Sequence, residues 1–459
     1  MPEFGWSSLF ISFLLAAIGV LFTGSRLFLR SFNDEEFFTA LAKIRLASLV
    51  GVSVAYFILV YLFLQDRFDV VAVYKFSEIS LDPIYKISAS WSGMEGSLLF
   101  WTLNLSLFAN LGLARYATYR GYLYYFVSLI FLLFVTLFLA NPFKYTEALD
   151  ISDGLGMNPL LHNVYMLVHP IIIYAGLNST VYLLTKQLKD GPKSYDLIES
   201  IGWILLTAGI ALGGYWAYIE LGWGGYWAWD PVENSSFIPW LAYTAYIHLY
   251  KHSSGSALLL ITAAVTHFYS VIGTFITRSG IVLSVHTFAN SDVAWYLQWY
   301  VWFSLVCVGV LLVRGLRLGG LLKTRLDRVM FLNWLNLTFF AISILWGVLY
   351  GPFAEIFFEE KIILGIPFFE KISTPYFVLN FVLMSVGLSL WFGVQILKLR
   401  LFMAIAGGFV VGLLAYLQNT YTLFEVSFLG LLSFNAIYLI QLLFFVGGLK
   451  KSVSVLIHL

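Results

Sequence analysis

The chain has 459 residues, of which 60% are hydrophobic, 19% aromatic and only 11% charged, with a net charge of +1. A soluble domain carries about 25% charged residues, so a solvated globule is excluded, and the balanced charge excludes the basic field that nucleic acid demands. The single cysteine, Cys307, excludes a disulfide framework, a CxxC pair and a thiolate metal site, so any thiol chemistry must use thiols brought by a partner.

The N-terminus, MPEFGWSSLFISFLLAAIGVLF, has no basic leading region and no A-x-A-like cleavage site, and reads as a retained span. Apolar stretches of about 20 residues, the length that crosses a bilayer, follow along the whole chain. They fall at 4–24, 45–64, 93–114, 121–140, 162–185, 198–219, 231–250, 257–277, 294–313, 329–350, 375–397, 399–417, 428–447 and from 452 to the end. Long continuous runs rather than ten-residue alternations exclude a barrel. The expectation is an all-α, polytopic integral membrane bundle of about 14 spans, one domain over residues 1–459. With the N-terminus outside, 19 of the 26 Lys and Arg residues lie inside and 7 outside, and the bias never reverses along the chain, as the positive-inside rule requires. The outer loops then lie near 65–92, 141–161, 220–230, 278–293, 351–374 and 418–427.

In chain order, the segment SWSGMEGSLLFW (90–101) puts Glu95 at the outer start of a span, as a helix cap or a site residue. Next, NPLLHNVYMLVHPIIIYAGL carries His162 at a boundary and His169 near the outer end of its span. The most unusual stretch is 215–240, YWAYIELGWGGYWAWDPVENSSFIPW, with Trp216, Trp223, Trp227, Trp229 and Trp240 among only 15 tryptophans in the chain. An interfacial aromatic belt is the plain alternative. Gly222, Gly224 and Gly225 let the backbone approach a flat partner, and planar rings in a shallow non-helical segment suit a large planar apolar ligand. Asp230, Pro231 and Glu233 read as helix-start chemistry, and Pro239 should kink the helix that follows.

His248 lies near the inner end of its span, three residues before Lys251, and His267 in mid-span. Arg278 is the cation of its outer loop, eight residues before His286, and is suited to an anionic group. His169 and His286 flank the Trp-rich segment from the same side, and two neutral imidazoles on opposite faces of a planar ligand are what axial haem coordination needs. His248 and His458, at comparable depth in the inner half of the membrane, are candidates for a second, buried haem.

These motifs resemble those of a known family. WGGYWAWDPVENSSFIPWL (223–241) resembles the "WWD" signature of haem-handling proteins, in the version carried by CcmF, the cytochrome c maturation F proteins. WSGMEGSLLFW (91–101), GMNPLLHNVYMLVHP (156–170) and GTFITRSGIVLSVHTF (273–288) match that family in order and spacing. The resemblance implies a cytochrome c haem lyase in the bacterial inner membrane, its N-terminus and functional face periplasmic. Such a protein takes haem from a periplasmic (CcmE-like) chaperone and attaches the vinyl groups to the CxxCH thiols of apocytochrome c, presented by thiol-reducing (CcmH/CcmI-like) partners. It also implies His169 and His286 as external haem ligands, and His248 and His458 as ligands of a transmembrane b haem that passes electrons, with membrane lipid and a quinol as further partners. Trp223, Gly224, Gly225, Tyr226, Trp227, Trp229, Asp230 and Arg278 would bind the transient substrate haem. Two departures stand out: Tyr226 replaces a usual Trp, and family members usually continue past the last histidine. A haem or hydrophobic-substrate transporter, a cytochrome b-type quinol oxidoreductase and a one-protein synthase remain as alternatives.

Overall fold

Helix-start chemistry recurs at the beginning of several helices. Asn33 accepts from the backbone N–H of Glu35 at 3.1 Å, Asp82 from Ile84 at 3.0 Å ahead of Pro83, Asn163 from Tyr165 at 2.8 Å and Ser256 from Leu259 at 3.2 Å. Thr324 and Asp327 form a complete reciprocal capping box. The computed structural model describes residues 1–26, 33–147, 151–191, 194–220, 222, 225–253, 256–282, 284, 293–315, 324–359, 362–392, 398–417 and 423–443. The helices are α1 (Pro2–Ser25), α2 (Asp34–Leu64), α3 (Val71–Phe76), α4 (Pro83–Ala89), α5 (Met94–Arg115), α6 (Tyr119–Phe134), α7 (Val164–Asn178) and α8 (Thr180–Gln187). They continue as α9 (Leu197–Glu220), α10 (Pro231–Ser253), α11 (Ala257–Ser279), α12 (Ala294–Gly315), α13 (Arg325–Phe358), α14 (Ile366–Phe392), α15 (Lys398–Leu417) and α16 (Leu423–Leu443). A π-turn, Val135–Leu139, extends α6, and among the described residues there is no β-strand.

The all-helical expectation holds. Each expected span through 428–447 meets a helix, and the last, from 452, lies outside the described residues. Among the described residues ten helices are long and apolar enough to cross a membrane, and exposed side chains such as Leu21, Phe57 and Val313 give them the apolar outer surface that lipid requires. The chain is a multi-pass membrane protein. α10 is not among the ten, because Glu233, Asn234, Ser235 and Ser236 at its start and His248, Lys251 and His252 toward its end make it too polar. The loop expected at 65–92 contains α3 and α4, and that at 351–374 is mostly occupied by the end of α13 and the start of α14.

The chain divides into two units, residues 1–243 with 255–316, and residues 244–254 with 317–459. In the first, α1 packs on α2 and α6, α5 on α2, α6 and α8, α7 on α9, and α11 on α8 and α12. Lys186, fully buried at the end of α8, pairs with Glu199 at 2.6 Å and Asp196 at 3.1 Å and so fixes the α8–α9 turn. In the second unit α13 packs on α14, and α16 on α14 and α15. Phe340 stacks on Tyr376 at 5.0 Å, and Ser385 donates to Asn435 Oδ1 at 2.8 Å.

Candidate functional site

The site grows from α7. Tyr165, His169, Ile173 and Leu177 recur every fourth residue, so they share one helix face, and all four line the same cleft. His169 Nδ1 lies 2.8 Å from the carbonyl oxygen of Gly209 on α9. A carbonyl only accepts, so Nδ1 carries the proton and Nε2 keeps its lone pair, the tautomer that binds metals. Close helix approach makes this possible. A Cβ on Gly213 would lie 2.7 Å from His169 Cε1, and one on Gly209 would lie 2.9 Å from the Ile173 Cα.

The Trp-rich segment runs from the end of α9 into the start of α10, as the expected spans place it. α9 continues to Glu220, so Tyr215, Trp216 and Tyr218 are helical, and α10 begins at Pro231. Gly222 takes the left-handed φ of +63° that turns the chain out of α9. Tyr226 donates to the Ala211 carbonyl at 3.1 Å, and its ring lies 6.2 Å from Tyr215 and 6.3 Å from Tyr218. Trp227 meets Trp229 edge-on at 6.1 Å and Phe237 at 5.7 Å.

Trp229 has φ +57°, a backbone conformation that costs a non-glycine residue about 1–2 kcal/mol. Its neighbours hold it there. Glu233 Oε2 accepts from the backbone N–H groups of Ala228 at 3.0 Å and Asp230 at 3.1 Å, one on each side of Trp229. Asn234 Nδ2 donates to the Trp229 carbonyl at 2.8 Å. Asp230 Oδ1 accepts from Val232 at 2.8 Å, as the helix-start reading expects, and also from the Ser284 hydroxyl at 2.8 Å.

The cleft lies among α7, α9, α10 and α11, with Ser92, Leu161 and Trp227 completing its lining. Beside His169 it presents Tyr165, Tyr174, Trp216, Trp227 and Arg278. Arg278 belongs to the last turn of α11 rather than to a loop. Its Nε–H donates to the Tyr174 phenol oxygen at 3.1 Å, and the guanidinium lies 5.9 Å from that ring's centroid. One imidazole lone pair, two indoles and one oriented guanidinium are a donor set that suits a planar iron porphyrin with a carboxylate edge.

Of the expected site residues, His169, Trp227 and Arg278 come together around this cleft. Tyr226 turns instead toward Tyr215 and Tyr218, while Trp229, Asp230 and Gly225 form the loop that presents Trp227. Trp223, Gly224, His286 and His458 lie outside the described residues. His248 is in α10, with Nδ1 2.8 Å from the Thr244 carbonyl, so its Nε2 also keeps the lone pair. Glu95 sits in the first turn of α5, where the cap position is Gly93 and makes no side-chain cap bond. His162 stacks on Tyr85 at 5.6 Å. Sequence reasoning missed Tyr165 and Tyr174. The four-residue spacing from Tyr165 to His169 was the available signal for the first, whereas the contact between Tyr174 and Arg278 joins residues 104 positions apart.

Residues 91–284 match the family described as cytochrome c assembly protein. The chain is 32% identical over 365 residues to the cytochrome c-type biogenesis protein ccl1 of Rhodobacter capsulatus, covering 73% of this chain and 55% of the relative. It is 33% identical over 360 residues to the cytochrome c-type biogenesis protein CcmF of Pseudomonas aeruginosa, covering 72% and 54%. A solved structure of a cytochrome c haem lyase CcmF superposes with a TM-score of 0.72 at 25% identity, over 96% of this chain and 70% of that one. The chain thus spans about half the length of these two curated relatives.

Proposed function

We propose, from the match of residues 91–284 to the cytochrome c assembly protein family, that the chain is a cytochrome c haem lyase whose substrate haem binds in the cleft at His169. The observation that carries this reading is the fixed tautomer of His169 on a wall shared with Trp227 and Arg278. His169 Nε2 would take one axial position of the iron. Trp216 and Trp227 supply flat apolar faces, and Arg278, its Nε held by Tyr174, keeps its Nη groups for a propionate. His286 is proposed as the opposite axial ligand.

The chemistry asked of the protein is positioning. A cysteine S–H of apocytochrome c adds across each haem vinyl C=C, sulfur to one carbon and hydrogen to the other, with no atom lost. Cys307 lies within α12, so both attacking thiols belong to the partner. The proposal includes delivery of haem by a periplasmic chaperone, presentation of the thiols by partner proteins, and an inner-membrane location with the cleft facing the periplasm. His248 and His458 are proposed to hold a b haem, which would supply electrons from a quinol to keep the substrate iron ferrous. The contact of His248 Nδ1 with the Thr244 carbonyl, which orients the ring, supports its half of that assignment.

The test is haem titration of the purified full chain followed by absorption spectra of His169→Ala and His248→Ala. The proposal expects His169→Ala to lose added haem while retaining any co-purified b-type spectrum, and His248→Ala to do the reverse. Unchanged haem titration in His169→Ala would overturn the cleft assignment.

A further inference from the structure

A second group of polar side chains lies away from the cleft, where α6, α11 and α12 carry residues that the proposed lyase reaction does not use. His267 on α11 is 2% exposed. The Thr180 hydroxyl donates to the Leu177 carbonyl at 2.6 Å, so its oxygen is left to accept, and the group 3.0 Å away is His267 Nδ1. Nδ1 therefore carries the single proton of a neutral imidazole. Nε2 is left as a buried lone pair with no hydrogen-bond partner.

Beside it are four hydroxyls. Tyr124 and Ser128 come from α6, Tyr300 and Ser304 from α12, and all four are buried. The Tyr124 ring meets the His267 imidazole edge-on at 5.4 Å. The Tyr124 and Tyr300 rings both stack on Phe303, at 5.6 and 6.3 Å. None of the four completes a hydrogen bond of ordinary geometry. Buried polar atoms in native proteins are satisfied by protein or by ordered water. In a membrane the lipid offers no substitute.

We infer that this seam is an internal water site, holding water at His267 Nε2 and among the hydroxyls of Tyr124, Ser128, Tyr300 and Ser304. The partner at His267 must donate, because Nε2 only accepts. The hydroxyls rotate, so they can donate to or accept from the same molecule. A buried water takes two to four such partners, about three on average, which this cluster provides. The result is an imidazole in the interior of the bundle that accepts a hydrogen bond from water, independent of whether haem binds at His169.

The experiment is histidine-selective ¹⁵N magnetic resonance on the full chain in lipid nanodiscs, with a density map of the same unaltered sample at a resolution that reveals waters. His267→Asn or His267→Phe assigns the resonance. The inference expects a hydrogen-bonded, unprotonated Nε2 that receives polarisation from water protons and keeps doing so in Tyr124→Phe. It also expects a density peak within hydrogen-bond distance of at least two of the four hydroxyls. A bare Nε2 signal without transfer from water overturns it. So do a bond that vanishes in Tyr124→Phe and hydroxyls bonded directly to one another with no peak between them.

Discussion

The hydroxyl of Ser284 donates to Asp230 Oδ1 across 2.8 Å, tying the end of the described segment before His286 to the start of α10. The same carboxylate caps α10 through Val232, so one side chain joins the Trp-bearing loop to the segment leading to the proposed second haem ligand. A hydrogen bond to a charged group contributes about 1.5–3 kcal/mol, and about 1.4 kcal/mol is tenfold in affinity. Ser284→Ala is expected to weaken haem binding roughly tenfold with unchanged helix content. Equilibrium haem titration measures this, and unaltered affinity would show that the tether has no part in binding.

Trp229 is held at positive φ by Asn234, while Glu233 takes the amides on either side. Asn234→Ala removes the bond to the Trp229 carbonyl, a loss of about 0.5–1.5 kcal/mol, and should let the loop relax toward ordinary backbone angles. The expected outcome is several-fold weaker haem binding and a changed near-ultraviolet circular dichroism signal from Trp227 and Trp229. If the loop were held by its rings alone, both readings would match the parent protein.

Gly213 sets how closely α9 approaches His169. An added methyl would sit 2.7 Å from Cε1, so the ring must tilt away from the Gly209 carbonyl that fixes its tautomer. Gly213→Ala is expected to cost about 1–3 kcal/mol of stability from overpacking and to shift or abolish the spectrum of haem bound at the cleft. The b-type spectrum assigned to His248 should persist. Equal loss of both spectra would point to general misfolding rather than a ligand displaced by its neighbour.

The helices were legible because bilayer spans announce themselves by length and apolarity, and the Asp230–Pro231–Glu233 cap because its chemistry is local. The partner that fixes His169 was not legible, since Gly209 offers only a backbone carbonyl forty positions away. The same is true of Tyr174, which orients Arg278 from another helix. Periodicity places a residue on a face but does not say which helix that face meets. The outer loop expected at 220–230 between two spans agrees with α9 ending at Glu220 and α10 beginning at Pro231. Aromatic density marks a membrane boundary equally well in a helix and in a loop, and the chain leaves the helix only near Gly222.

Lys186 is fully buried between Glu199 and Asp196. Removing one partner of a buried pair costs about 3–5 kcal/mol, whereas replacing both by neutral groups can cost little. Lys186→Met should therefore lower the midpoint of thermal unfolding sharply, and adding Glu199→Gln should restore much of the loss. Strict additivity of the two changes, read by differential scanning fluorimetry in detergent, would exclude the pairing as the cause.

Asp196, just outside the α9 span, gives this network a pH dependence. Burial pushes its carboxyl upward, but the Tyr182 phenol at 2.6 Å and the Lys186 ammonium outweigh burial and hold it below the usual carboxylate range. A carboxyl depressed by folding stabilises the native state at every pH above its unfolded value of about 3.9 and loses that contribution as pH falls through the folded value. Stability from Asp196 should thus be level at neutral pH and decline only in acid. Tyr182→Phe removes a bond that favours the ionised form, so the folded value should rise and the acid decline begin at higher pH than in the parent protein. Unfolding midpoints measured from pH 7 down to pH 3 in both proteins decide the matter, and coincident acid limbs would mean that the phenol does not hold this carboxylate.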